Sequence, residues 1–163
     1  MTLQEINTWE RDRFVAELGW IFEGAPWVAE RAWSRRPFDD LEHVHAAMMA
    51  AVAAARPDER LALLCAHPEL GARTRMSEAS VDEQTGAGLD RLTEQEHRDL
   101  GRLTTAYRQR FGFPFLLAVH GRTKADVRSA LSNRLASTAA EEQAEALAQV
   151  SRIARMRLQS VLE

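Results

Sequence analysis

Two short clusters in this chain carry residue types suited to moving a proton onto a small polar molecule. His67 stands directly before Pro68 at the end of an apolar run, and Ser80-Val81-Asp82-Glu83-Gln84 follows on the far side of a polar loop holding Arg73 and Arg75. An imidazole exchanges its proton near neutral pH, which suits it to acid–base work. A carboxylate beside a carboxamide can orient that imidazole or bind a polar ligand edge. Together the two clusters can hold and protonate a small molecule, provided the fold joins them.

Each residue also has a plainer reading. Pro68 disfavours helical geometry in the residue before it, so His67 ends its helix. There it serves either as an acid–base group or as a cap for the last carbonyls. Glu83 lies three residues after Ser80, the spacing of a capping box, which accounts for a glutamate without any substrate. A helix N-terminus nevertheless presents free N–H groups and the positive end of a dipole, so capping and ligand binding are compatible.

Arg157 falls within the inward stripe of the last helix, formed by Leu147, Val150, Ala154, Leu158 and Val161. An arginine there needs an internal salt bridge or a polar cavity. Arg152 lies at the stripe's edge or outside it.

The remaining histidines invite structural readings. His43 and His45 are two residues apart on a helix, point to different faces and read as exposed. His97 sits in a charged, solvated stretch, and His120 precedes Gly121 at a turn. No His-x-x-x-His, carboxylate cluster or cysteine pair suggests a metal centre. Cys65 is the only cysteine and reads as a structural thiol in an apolar run.

The elements that must position these residues are helices. Apolar spacing predicts an all-α, single-domain bundle of about seven or eight helices over residues 1–163, with no sheet. Asp39 or Asp40 opens an Ala-rich helix, and Pro57 or Asp58 opens the one ending at His67. Ser80–Glu83, Thr93–Glu96 and Thr138–Glu141 each match a capping box, and Thr123 starts a further helix. Gly112 stands where a left-handed stop belongs after a 94–111 helix. Residues 113–121, FPFLLAVHG, read as an irregular or helical core segment bent at Pro114, because no second strand is available to pair with them.

Composition narrows the function classes. The net charge is −3, and arginines gather only in the loop and the last helix, which argues against a nucleic-acid partner. No apolar run approaches the ~20 residues that span a bilayer, and the N-terminus lacks signal-peptide order. A soluble, cytoplasmic protein is expected. Besides an enzyme, a non-catalytic helical module binding a small anion or a partner helix fits, with Trp9, Trp20, Trp27 and Trp33 serving either as an interface or as core.

Four blocks in order carry a family resemblance: His67-Pro68-Glu69-Leu70, Ser80-x-x-Glu83-Gln84 with its following Gly-Ala-Gly-Leu, Phe111-Gly112-Phe113-Pro114-Phe115, and Ile153-Ala154-Arg155-Met156-Arg157-Leu158. With these the chain resembles the 2-oxo-4-hydroxy-4-carboxy-5-ureidoimidazoline (OHCU) decarboxylases of urate breakdown to allantoin. The resemblance implies a helical, commonly homodimeric enzyme using no metal or organic cofactor, whose small-molecule substrate is OHCU. It implies that His67 is the catalytic histidine and Glu83 its acidic partner. Pro68, Ser80, Val81, Asp82 and Gln84 would line the substrate. Phe115, Leu116, Leu117, Ala118 and Val119 would meet it through backbone groups, and Arg157 would be the site arginine. A decarboxylase of a related ureido acid is the neighbouring possibility.

Overall fold

Local chemistry sets most of the helix boundaries. The computed structural model describes residues 1–71 and 77–162, and among these it contains nine α-helices, two short 3-10 turns and no strand. Helix α1 (Leu3–Thr8) opens with a Thr2–Glu5 capping box, and α2 spans Arg11–Leu18. Helix α3 covers Trp27–Trp33. Asp40, not Asp39, caps α4 (Leu41–Ala53) by accepting from His43 N–H, and α5 runs from Pro57 to Ala66. Helix α6 is Glu78–Gly86 and α7 is Glu94–Phe111, which Thr93 and Glu96 cap reciprocally. Gly112 stops α7 at φ 82°, a backbone conformation that costs glycine little. Thr123 caps α8 (Lys124–Arg134), and the Thr138–Glu141 box opens α9 (Ala139–Val161).

The expected all-α class is observed. One expected cap is corrected: α6 is capped by Ser77, whose Oγ accepts from Ser80 N–H, so the box does not begin at Ser80. The Ser80–Glu83 spacing satisfies the local rule, but the helix starts three residues earlier and places Ser80 inside its first turn.

The chain divides into two compact units. The first comprises Met1–Ala66 with the C-terminal segment from Ser151, and the second is His67–Val150. The first unit has Phe14, Leu18, Ile21, Phe22, Met48, Leu63, Leu64 and Leu158 as fully buried side chains. Within it, His45 Nε2 lies 3.0 Å from Ser151 O and 3.1 Å from Ser151 Oγ. His45 is therefore half-buried and ties α4 to α9, whereas His43 is exposed beside Asp39, as expected. Trp9 is buried, and Trp33 donates to its carbonyl at 3.0 Å. Arg13, Arg31 and Arg36 lie over the rings of Trp9, Trp27 and Trp33, leaving Trp20 as the one tryptophan that is 40% exposed.

The second unit packs α6, α7, α8 and the opening turns of α9 around Tyr107, Phe115, Val127, Leu131 and Ala146. Residues 114–119 cross this core without helix or strand structure. The expected irregular core segment is thus found in its non-helical form.

Candidate active site

His67 follows the last residue of α5 and is only 6% exposed. The turn after it is anchored at several points. Arg108 on α7 donates to Glu69 Oε1 at 2.9 Å, and Leu70 is buried. Gly71 adopts φ 71° and donates its N–H to Gln84 Oε1 at 2.8 Å. A Cβ at Gly71 would come within 2.7 Å of Leu100 Cδ2 and 3.0 Å of Leu92 Cδ1, so both dihedral and space select glycine. The backbone leaving His67 is therefore fixed by α6 and α7 as well as by Pro68, which is half-buried.

Helix α6 presents its polar residues on graded faces. Ser80 and Gln84, one turn apart, are 3% and 7% exposed. Ser80 Oγ accepts from Ser77 Oγ–H at 3.1 Å, and Gln84 is committed through its carbonyl oxygen to Gly71. The Gln84 amide nitrogen remains a two-hydrogen donor beyond that bond. Glu83 is half-buried, while Asp82 is exposed and Val81 is 46% exposed. The link from Gln84 to Gly71 joins the two clusters singled out in the sequence. The loop arginines Arg73 and Arg75 lie outside the described residues.

Phe115, Leu116, Leu117 and Val119 are all buried, and Ala118 is half-buried. A buried stretch without a helical or sheet ladder must find partners for its backbone elsewhere. Side chains supply them. Arg134 Nη1 donates to Leu116 O at 2.5 Å, and Gln149 Oε1 accepts from Ala118 N–H at 2.9 Å. Arg122 closes the end, donating from Nε to Ala118 O and from its backbone N–H to Val119 O.

Sequence reasoning passed over the group that holds this stretch. Arg134, with a 12% exposed side chain, pairs with Glu142, which is 1% exposed, at 2.9 Å. Tyr107, fully buried, donates its phenol hydrogen to Glu142 Oε2. The guanidinium also lies over the Phe115 ring, 4.5 Å from its centroid, and Tyr107 meets Phe115 edge-on at 5.3 Å. Burial, reinforced by the Glu142 carboxylate, pushes the Tyr107 pKa well above that of a free phenol, so it stays a neutral donor. Glu142 and Gln149 are buried on the face of α9 that carries Ala146 and Ile153, turned well away from the Leu147–Ala154–Leu158 stripe, so the periodicity that marks Arg157 gives no signal for either.

Arg157 belongs to the first unit. It is 4% exposed, and Nη1 donates to Ile21 O at 3.3 Å and to Glu23 Oε2 at 3.4 Å. Arg155 is exposed and paired with Glu42, which holds that carboxyl below its usual range. Of the two, Arg157 is the one on the buried stripe, as the periodicity predicts. Among the described residues, no three His, Cys, Asp or Glu side chains gather closely enough to hold a metal ion. Cys65 is half-buried, His97 is half-buried and His120 is exposed. Among the described residues no helix is long and apolar enough to cross a membrane.

Comparison with known proteins gives a consistent result. The family model described as OHCU decarboxylase matches residues 7–159. The 2-oxo-4-hydroxy-4-carboxy-5-ureidoimidazoline decarboxylase of Haloferax volcanii is 42% identical over 158 residues, covering 97% of this chain and 94% of its own length. The bifunctional uric acid degradation protein PucL of Bacillus subtilis is 42% identical over 161 residues, 99% of this chain but 33% of that protein. The crystal structure of an (S)-allantoin synthase superposes with a TM-score of 0.78 at 33% identity, covering 98% of this chain and 54% of that chain. A second crystal structure, of an OHCU decarboxylase in the presence of (S)-allantoin, shares the fold at a TM-score of 0.69 and 20% identity.

Proposed function

Since this chain belongs to the OHCU decarboxylase family, we propose that it converts OHCU to (S)-allantoin, the last step of urate breakdown to allantoin. The observation that carries this reading is similarity over nearly the whole length, 97% of the chain at 42% identity, to a protein named for that reaction. We propose that residues 1–163 act as one functional domain.

The substrate is a small heterocycle bearing a carboxylate, a hydroxyl and a ureido arm. Loss of carbon dioxide leaves a carbanion that the adjacent ring delocalises, so the reaction as proposed needs neither a metal nor an organic electron sink. Three tasks remain for the protein: turning the carboxylate out of the ring plane, accommodating negative charge, and delivering a proton to one face. His67, held at a rigid helix end and nearly sequestered from water, is proposed as the proton donor or hydroxyl-polarising acid. Glu83 is its proposed acidic partner, orienting His67 or the substrate hydroxyl.

Pro68, Ser80, Val81, Asp82 and Gln84 are proposed to line the substrate. The Gln84 amide nitrogen suits a ureido or lactam carbonyl. Phe115 to Val119 are proposed to meet the amide edges of the substrate through backbone groups. In support, the backbone groups of Phe115 and Leu117 form no hydrogen bond among the described residues, while Leu116 O is taken up by Arg134, Ala118 N–H by Gln149 and Ala118 O by Arg122. On the family resemblance, Arg157 binds oxygen of the ring or ureido arm. A clamp on the departing carboxylate would stabilise the ground state and slow the reaction.

We further propose a cytoplasmic homodimer that acts on a small molecule and binds no nucleic acid. Light scattering after size exclusion measures the dimer directly. The activity is tested by adding freshly generated OHCU and following circular dichroism of the product. Accelerated formation of a single hand of allantoin is expected, and a rate or racemic outcome equal to the uncatalysed reaction would end the proposal. His67→Ala should abolish turnover with helical content intact.

A further inference from the structure

The stretch from Phe115 to Val119 has no hydrogen-bond ladder of its own, so its shape is set by what grips it. Arg122 closes its end locally, and the two grips from helices are Arg134 of α8 on Leu116 O and Gln149 of α9 on Ala118 N–H. We infer that Arg134 and Gln149 are positioning residues for the decarboxylation: they fix the backbone of Leu116 to Ala118 in the form that receives the substrate, without touching it. This rests on the proposed role of residues 115–119 in substrate binding.

Both grips are themselves held. Gln149 is 2% exposed and donates from Nε2 to Glu145 Oε1 at 2.5 Å, which dictates the amide orientation and aims the carbonyl oxygen at Ala118. Arg134 is set by Glu142 through Nε at 3.0 Å and Nη2 at 2.9 Å, leaving Nη1 for Leu116. Tyr107 satisfies Glu142 from a third helix, so the guanidinium has little freedom to turn. Between the gripped residues stands Leu117, whose own N–H and C=O form no hydrogen bond among the described residues. A donor and an acceptor on one residue complement an amide or ureido edge, which carries the same pair reversed. Losing either grip lets that pair turn away while leaving His67 and Glu83 untouched.

The test compares wild type, Gln149→Leu, Arg134→Lys and the paired exchange Gln149→Glu with Glu145→Gln. Gln149→Leu removes the acceptor for Ala118 N–H at similar volume. The paired exchange keeps an acceptor at 149 and a donor at 145. Arg134→Lys keeps the charge facing Glu142 but lacks the fork that reaches Leu116, so it probes the same stretch from its other end if the leucine variant folds poorly. For the folded protein, KM for OHCU and the dissociation constant for (S)-allantoin should rise about tenfold in Gln149→Leu, the scale of one lost hydrogen bond. The pH profile of kcat should not move, and the paired exchange should restore both constants to within about threefold. A lowered melting temperature with unchanged KM and allantoin affinity, in both single-site variants, would reduce the two residues to structural roles and overturn the inference. Wild type failing to turn over OHCU would overturn the proposed function itself, a result distinct from an active wild type with unaltered variants.

Discussion

Gln84 on α6 accepts the backbone N–H of Gly71 at 2.8 Å, and through that one bond the turn leaving His67 is fastened to the second polar cluster. A buried amide thus holds the protein's own backbone through its oxygen, while its nitrogen is the donor proposed for the substrate.

Gln84 variants can separate those duties. Gln84→Leu should lose about 1–3 kcal/mol of stability, because it leaves a part-buried N–H without its acceptor. For a chain of this size that is a fall of roughly 2–4 °C in Tm per kcal/mol. Gln84→Glu keeps the acceptor and loses the donor, so it should keep most of the stability while KM for OHCU rises. Calorimetry alongside steady-state kinetics reads both. Equal effects of the two variants on KM and Tm would contradict the division.

Gly71→Ala should be worse than its size suggests. The residue has φ 71°, and the added methyl carbon would lie 2.7 Å from Leu100. A cost of about 1–3 kcal/mol is expected from backbone strain alone, with reduced turnover because the chain must shift just beyond His67. Adding Leu100→Ala would relieve the contact but not the dihedral, so the double variant should recover only part of the loss in denaturant unfolding.

Arg155→Ala and Arg157→Ala should differ sharply. Arg155 forms an exposed, solvent-screened pair with Glu42, so its loss should leave both the urea midpoint and KM nearly unchanged. Arg157 is buried with Glu23 as an ionic partner, and removing one partner of a buried pair costs about 3–5 kcal/mol. If Arg157 also binds substrate, Arg157→Lys should fold better than the alanine variant yet keep a raised KM. Urea titration and kinetics on the same preparations distinguish the outcomes.

Tyr107 is the only tyrosine in the chain, and its pKa is raised by burial and by Glu142. The unfolded chain gives up this proton near pH 10, before the folded one does. Above that pH the unfolded state binds fewer protons than the folded state, so stability falls as pH rises. Its contribution is complete below about pH 10 and disappears as the pH climbs toward the native value. Tyrosinate absorbance should therefore appear together with loss of helical circular dichroism, and Tyr107→Phe should flatten the alkaline limb of the stability curve. Tyrosinate forming near pH 10 in a fully helical protein would refute this.

Sequence pattern located these elements unevenly, for physical reasons. Caps such as Thr93–Glu96 and stops such as Gly112 act within a turn or two of chain, so α7 was legible to the residue. Ser80–Glu83 misled because Ser77 offers an equally good cap, and local spacing cannot rank two candidates. Burial of Arg157 followed from helical period, but Glu142 and Gln149 lie well to one side of that stripe and owe their burial to α7, α8 and the 114–119 stretch packed against them. The partners Tyr107, Arg134 and Glu142 come from three helices, and nothing local announces such a meeting. His45 reads as exposed from sequence because its partner, Ser151, lies far along the chain.

The stretch at 113–119 carries its hydrophobic residues in its own sequence but its conformation in someone else's. Arg134 and Gln149, well downstream, decide how its peptide groups point. Transplanting FPFLLAV into another helical scaffold would move the letters without the shape. The smallest transferable unit is discontinuous: the stretch together with Arg122 and the Tyr107, Arg134, Glu142 and Gln149 side chains that hold it. A library diversified only within 113–119 would sample side-chain volumes around a fixed backbone, whereas one that reaches 134 and 149 would sample the backbone itself.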